Sequence, residues 1–94
     1  MIRIAIIDDE QSVINSIRKI IELGDLQIEI AGTADSAKSG IQLLRSTQPD
    51  LVLLDIDLKD GTGFDLLQQV QNISFKLIFV TAHHEYALRA FKYS

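Results

Sequence analysis

The chain has 94 residues, 47% of them hydrophobic, with one proline, no cysteine and a net charge of −4. That describes a single folded domain at most, and it excludes a disulfide framework, a thiolate metal site and a disordered chain. The acidic balance argues against direct contact with nucleic acid or an anionic membrane surface, and no apolar run approaches the roughly 20 residues of a membrane span.

The first ten residues, MIRIAIIDDE, carry a short β-branched run that stops at Asp8. A buried strand over residues 2–7 is expected. The segment lacks the basic region and small-residue cleavage site of a signal peptide, so a cytoplasmic location is expected. QSVINSIRKIIELG follows, with Val13, Ile14, Ile17, Ile20 and Ile21 at helical spacing and Gly24 where a C-terminal cap belongs. QIEIAGT, residues 27–33, alternates and suits an edge strand. DSAKSGIQLLRSTQPD puts Ala37, Gly40, Ile41 and Leu44 on one face of a second helix, ended near Pro49.

Residues 51–54, LVLL, form a third strand that is apolar on both faces and therefore central. DLKDGTG reads as a turn-rich loop with Gly61 and Gly63 as its flexible points. FDLLQQVQ gives a third helix through Phe64, Leu67 and Val70. KLIFVTA, residues 76–82, is a fourth strand, and HEYALRAFKYS starts a helix through Tyr86, Ala90 and Phe91. Strands alternating with helices imply a parallel sheet with right-handed crossovers and helices on both faces.

Ligands of such sheets bind at the carboxyl ends of the strands, where strand order reverses. The first strand here runs into Asp8, Asp9 and Glu10, the third into Asp55, and the fourth into Thr81. If the first and third strands are neighbours, three carboxylates converge. They repel one another and raise each other's pKa. A hard divalent cation with oxygen ligands offsets that, and Mg2+ suits a partly hydrated carboxylate site. Asp55 is then a candidate nucleophile toward a phosphoryl group, giving an acyl phosphate. The Thr81 hydroxyl can donate a hydrogen bond to the same group. An isolated Asp8, or Asp60 in its Asp-Gly turn, would by itself read as a helix cap or turn residue.

IIDDE, LVLLDIDLKDGTGFDLL and FVTAHHEYALRAFKY, in this order, make the chain resemble the receiver domain of bacterial two-component response regulators over essentially its whole length. The TAHHEYALRAFKYS stretch looks most like receivers that precede LytTR-type DNA-binding domains. The resemblance implies a flavodoxin-like doubly wound parallel sheet of order 2-1-3-4-5. It implies Asp55 as phosphoacceptor, Asp9 as direct Mg2+ ligand with Asp8 assisting, the backbone carbonyl of Asp57 as a further ligand, and Thr81 as the switch hydroxyl. The implied phosphodonor is a histidine kinase, or a small phosphodonor, and the domain would dephosphorylate itself slowly. Output would pass through the fourth strand and the helix after it, with a homodimer as one possible form.

Two departures accompany the resemblance. Lys59 stands where many receivers have proline, a tolerated loop change. The sequence also stops before the family's fifth strand and fifth helix, so that residues 1–94 are expected to form an incomplete receiver, four strands of the usual five. On that expectation the chain is a piece of a longer protein. The residues LIFV would be an exposed edge, part of the first helix's apolar face would lack cover, and the fragment would be unstable alone or pair with a second copy. No residue here matches the family lysine that contacts the phosphoryl group, and DNA binding would belong to a missing C-terminal domain.

Two other classes compete. LLDIDLKDG superficially resembles the first motif of haloacid dehalogenase-type phosphatases, with Asp55 as nucleophile and Asp57 as general acid/base. Against it, position 59 is lysine instead of threonine, the motif falls on the third strand, and Asp8 and Asp9 go unexplained. A decayed receiver used only for partner binding is the other class, and the presence of Asp8, Asp9, Asp55 and Thr81 speaks against it. His83 and His84 are adjacent and cannot both face one site from a regular helix, so they read as loop residues at the mouth of the crevice.

Overall fold

The computed structural model describes residues 1–24, 27–71 and 73–80. Its elements are β1 (Ile2–Ile7), α1 (Gln11–Leu23), β2 (Ile28–Ala34), α2 (Ala37–Thr47), β3 (Leu51–Asp55), β4 (Asp57–Leu58), β5 (Gly61–Thr62), α3 (Gly63–Gln69) and β6 (Lys76–Val80). Four strands form one parallel sheet in the order β2-β1-β3-β6. The β1–β3 pairing that the site requires is therefore present, and β3 lies inside the sheet, as its unbroken apolar run implies. Thr81, His83, His84, Tyr86, Ala90, Phe91 and the helix read around them lie outside the described residues.

The two faces of β1 divide the core. Ala5 and Ile7 point to one side, where they pack with Ala37, Ile41 and Leu44 of α2 and with Leu66 and Leu67 of α3. Ile4 and Ile6 point to the other side, onto Ile14 of α1. One strand buried on both faces with helices above and below is the doubly wound arrangement. The face of α2 read from the sequence is the one buried: Ala37, Gly40, Ile41 and Leu44. On α1 only Ile14 is fully buried, with Ile17 and Ile21 packed partly beside it. Ile20 belongs to the predicted stripe but is 70% exposed. At 100° per residue, the positions 14, 17 and 21 share a face and 20 turns away from it.

Helix starts follow local chemistry. Ser36 and Ser39 form a capping box on α2, and Thr62 and Asp65 form another on α3. α2 stops just before Pro49, with Gln48 in the left-handed conformation at its end. Gly24 ends α1 where expected, but in an extended conformation, with its amide donating to Ile20 O. α3 ends at Gln69, so Val70 is its cap residue and not part of the helix as the sequence suggested.

The loop expected after β3 is in fact a short antiparallel hairpin, with Asp57 opposite Thr62 and Leu58 opposite Gly61. Leu58 explains the difference. It is buried in the core cluster beneath the hairpin, so this segment has an inward anchor that its polar composition masks. Gly61 has φ +153, which a side chain would strain, and it closes the turn.

Candidate acidic site at the strand tips

Pairing between β1 and β3 runs up to Ile7 opposite Leu54. Asp8 and Asp55 are the next residue of each strand. The Asp8 amide is fixed by a 3.0 Å bond to Ala34 O at the tip of β2, and its Oδ1 accepts the Glu10 amide at 2.9 Å. Asp8 is only 4% exposed and is the buried charged residue among those described. Asp9 and Asp55 are half-buried beside it. One carboxylate oxygen from each of Asp8, Asp9 and Asp55 lies within 4.8 Å of the other two.

Burial first, then the negative charge of Asp8, pushes the Asp55 carboxyl up to about 7, with Asp9 adding to the rise. The Asp57 amide, donating to Asp55 Oδ1 at 3.3 Å, acts in the opposite sense. The donor set is oxygen only, with no sulfur or imidazole in the cluster. Three convergent carboxylates that hold a proton near neutrality fit a hard divalent cation of the Mg2+ kind.

The floor under Asp55 is rigid. Gly63 donates its amide to Ile56 O at 2.7 Å. A Cβ on Gly63 would stand 2.6 Å from Asp55 O and 3.0 Å from Leu54 Cγ. The start of α3 therefore presses directly on the backbone that carries Asp55. The next residue, Phe64, packs against Phe79 of β6 with ring centroids 5.0 Å apart and planes tilted by 41°. Val80 lies opposite Asp55, so the next residue, Thr81, is where the sequence reading sets the switch hydroxyl, and it lies outside the described residues.

Sequence reasoning brought together Asp8, Asp9 and Asp55 correctly. It took Asp60 as a turn or cap residue, and Asp60 does cap a helix, but one remote in sequence: its Oδ1 and Oδ2 accept the Ala37 and Lys38 amides of α2 at 2.6 and 3.1 Å. The Lys59–Asp35 ion pair at 2.9 Å was not foreseen. Its partners are 24 residues apart, and no local spacing marks such a pair.

Residues 4–94 match the family model described as the response regulator receiver domain. The chain is 33% identical over 95 residues to the sensory transduction protein LytT of Bacillus cereus, covering 98% of this chain and 38% of that protein. It is 35% identical to the sensory transduction protein LytR of Staphylococcus epidermidis, covering 93% of this chain and 35% of that one. Among solved structures, a two-component response regulator of the LuxR family from Aurantimonas sp. matches all of this chain and 69% of its own, with TM-score 0.87 and 26% identity. PhyR from Brucella abortus matches 87% of this chain and 34% of its own, with TM-score 0.77 and 31% identity.

The chain belongs to the response regulator receiver domain family. It is the receiver domain of a two-component response regulator, and it spans well under half the length of the LytT and LytR proteins that it matches. The family match leaves the phosphatase alternative without support, since Asp55 ends the third strand and the acidic pair ends the first. Among the described residues no helix is long and apolar enough to cross a membrane.

Proposed function

We propose that residues 1–94 act as a phosphoacceptor, with Asp55 receiving a phosphoryl group from a histidine kinase or a small phosphodonor. The observation that carries this reading is the convergence of Asp8, Asp9 and Asp55 at the tips of adjacent parallel strands. Asp8, Asp9, Asp55 and the backbone carbonyl of Asp57 would hold Mg2+. When bound, that ion supplies positive charge against the carboxylates and the phosphoryl oxygens.

The chain's own residues do the rest. One Asp55 carboxylate oxygen forms a bond to phosphorus. The bond from phosphorus to the imidazole nitrogen of phosphohistidine breaks, and its electron pair leaves with that nitrogen. The ionised form of Asp55 is the nucleophile, so its proton must be lost first. The hydrogen bond from the Asp57 amide favours that form and orients the carboxylate. The packed contact of Gly63 on the Asp55 carbonyl keeps the backbone from recoiling. Thr81 is assigned the switch hydroxyl, which donates to the phosphoryl group and carries the change into the strand-four loop and the helix after it. By the family resemblance the output is a DNA-binding domain elsewhere in the protein, of the LytTR type, in the cytoplasm.

Amide NMR during Mg2+ titration tests the metal half of this reading. Saturable shifts at residues 8, 9, 55 and 57, lost in Asp9→Ala, are expected. Unchanged amides up to high Mg2+ would overturn it.

A further inference from the structure

Two adjacent residues of the β4–β5 turn reach across to the connection between β2 and α2. Lys59 Nζ stands 2.9 Å from Asp35 Oδ2. Asp60 takes the amides of Ala37 and Lys38. The turn that follows Asp55 and Asp57 is thus fastened to the start of α2 by an ion pair and by a two-pronged cap. Asp35 in turn follows Ala34, whose carbonyl holds the Asp8 amide. The ammonium of Lys59 is therefore anchored at the rim of the acidic crevice. The Asp35 carboxylate holds its pKa up, and the charge of Asp9 adds to the rise. The pair remains open to solvent, with side chains 59% and 56% exposed, and an entering molecule can reach the ammonium.

A phosphodonor arrives as an anion and meets Asp8, Asp9, Asp35 and Asp55 at these strand tips and the turn beside them. A field of one sign slows an approaching molecule of the same sign, and a cation at the mouth reverses that locally. We propose that Lys59, anchored by Asp35, is a positioning residue that receives the donor's phosphoryl oxygens at the rim and favours dianionic phosphodonors. This rests on Asp55 being the phosphoacceptor. The ammonium has three N–H donors, so it can meet the donor's phosphoryl oxygens while its bond to Asp35 is kept.

The test compares initial rates of Asp55 phosphorylation in the wild type, Lys59→Gln and Lys59→Arg, with Mg2+ present. The donors are acetyl phosphate, a dianion at neutral pH, and phosphoramidate, with a single net negative charge. Lys59→Gln should slow acetyl phosphate about three- to tenfold at low salt and phosphoramidate less. The difference should close as ionic strength rises, and Lys59→Arg should restore the rate. Equal slowing of both donors at every salt, no slowing, or failure of arginine to restore the rate would each overturn the inference while leaving wild-type phosphorylation, and so the phosphoacceptor reading, intact. A wild type that takes no phosphoryl group from either donor would overturn both.

Discussion

Ile7 of β1 lies opposite Leu54 of β3, so Asp8 and Asp55, the next residue of each strand, emerge side by side. Burial and the Asp8 charge then push the Asp55 carboxyl up to about 7. In the unfolded chain the same group titrates near ~3.9. Between about pH 4 and about pH 7 the native state consequently binds a proton that the unfolded state has lost. Stability falls as pH rises through that window. Removing the charge should reverse this. Asp55→Asn is expected to melt higher than the wild type at pH 8 without Mg2+, and to match it more closely at pH 4. Thermal unfolding followed by circular dichroism at the two pH values checks it, and a lower melting point for Asp55→Asn at pH 8 would count against the repulsion.

Metal dependence follows from the same cluster. A cation bound only by the native state stabilises it by mass action, by about 2.7 kcal/mol at a hundred times its dissociation constant. Excess Mg2+ should therefore raise the wild-type melting point at pH 7.5, and EDTA should return it to its starting value. Asp9→Ala should lose most of the gain. Binding should also release protons, because Asp55 holds one near neutrality. Calorimetry in buffers of different ionisation enthalpy reads that release directly.

Gly63 tests the floor of the site. A Cβ there meets the Asp55 carbonyl oxygen at 2.6 Å, and this neighbour is backbone, unable to rotate away. Gly63→Ala should destabilise by ~1–3 kcal/mol through overpacking. Gly32→Ala is the contrast. Its nearest contact is the Leu43 Cδ1 methyl, the end of a flexible side chain, so it should be tolerated better. Chemical denaturation of both variants separates the two cases.

The frame was legible in the sequence because the apolar runs carry it. The run at residues 2–7 ends in two acids, the run at 51–54 ends in one, and the periodicity of residues 37–44 fixes which face of α2 is buried. The parallel topology follows from alternation alone, and topology brings the carboxylates together. What was missed is long-range or small. The β4–β5 hairpin depends on Leu58 reaching the core, and two-residue strands give no periodic signal. The reach of Asp60 to α2 depends on tertiary placement. The capping box at Thr62 and Asp65 was readable from its spacing of three, and would have set the start of α3 at Gly63.

Asp60 supplies a further check on that long-range cap. Its bonds to the Ala37 and Lys38 amides hold its carboxyl below the usual range. Such a group contributes stability above its unfolded pKa, and that contribution is lost as pH falls through the folded value. Asp60→Ala should speed hydrogen exchange at the Ala37 and Lys38 amides at neutral pH and lower the melting point there. Below the folded pKa of Asp60 the variant and wild type should converge.

The central claim is that Asp55 accepts the phosphoryl group. The protein is incubated with Mg2+ and acetyl phosphate, treated with borohydride, which reduces an aspartyl phosphate to homoserine, and digested for peptide mass spectrometry. The account predicts homoserine at position 55 only, absent when EDTA replaces Mg2+ and absent in Asp55→Asn. Homoserine at Asp8, Asp9 or Asp57 in the wild type, or an intact Asp55 in a protein that has taken up phosphate, would contradict it.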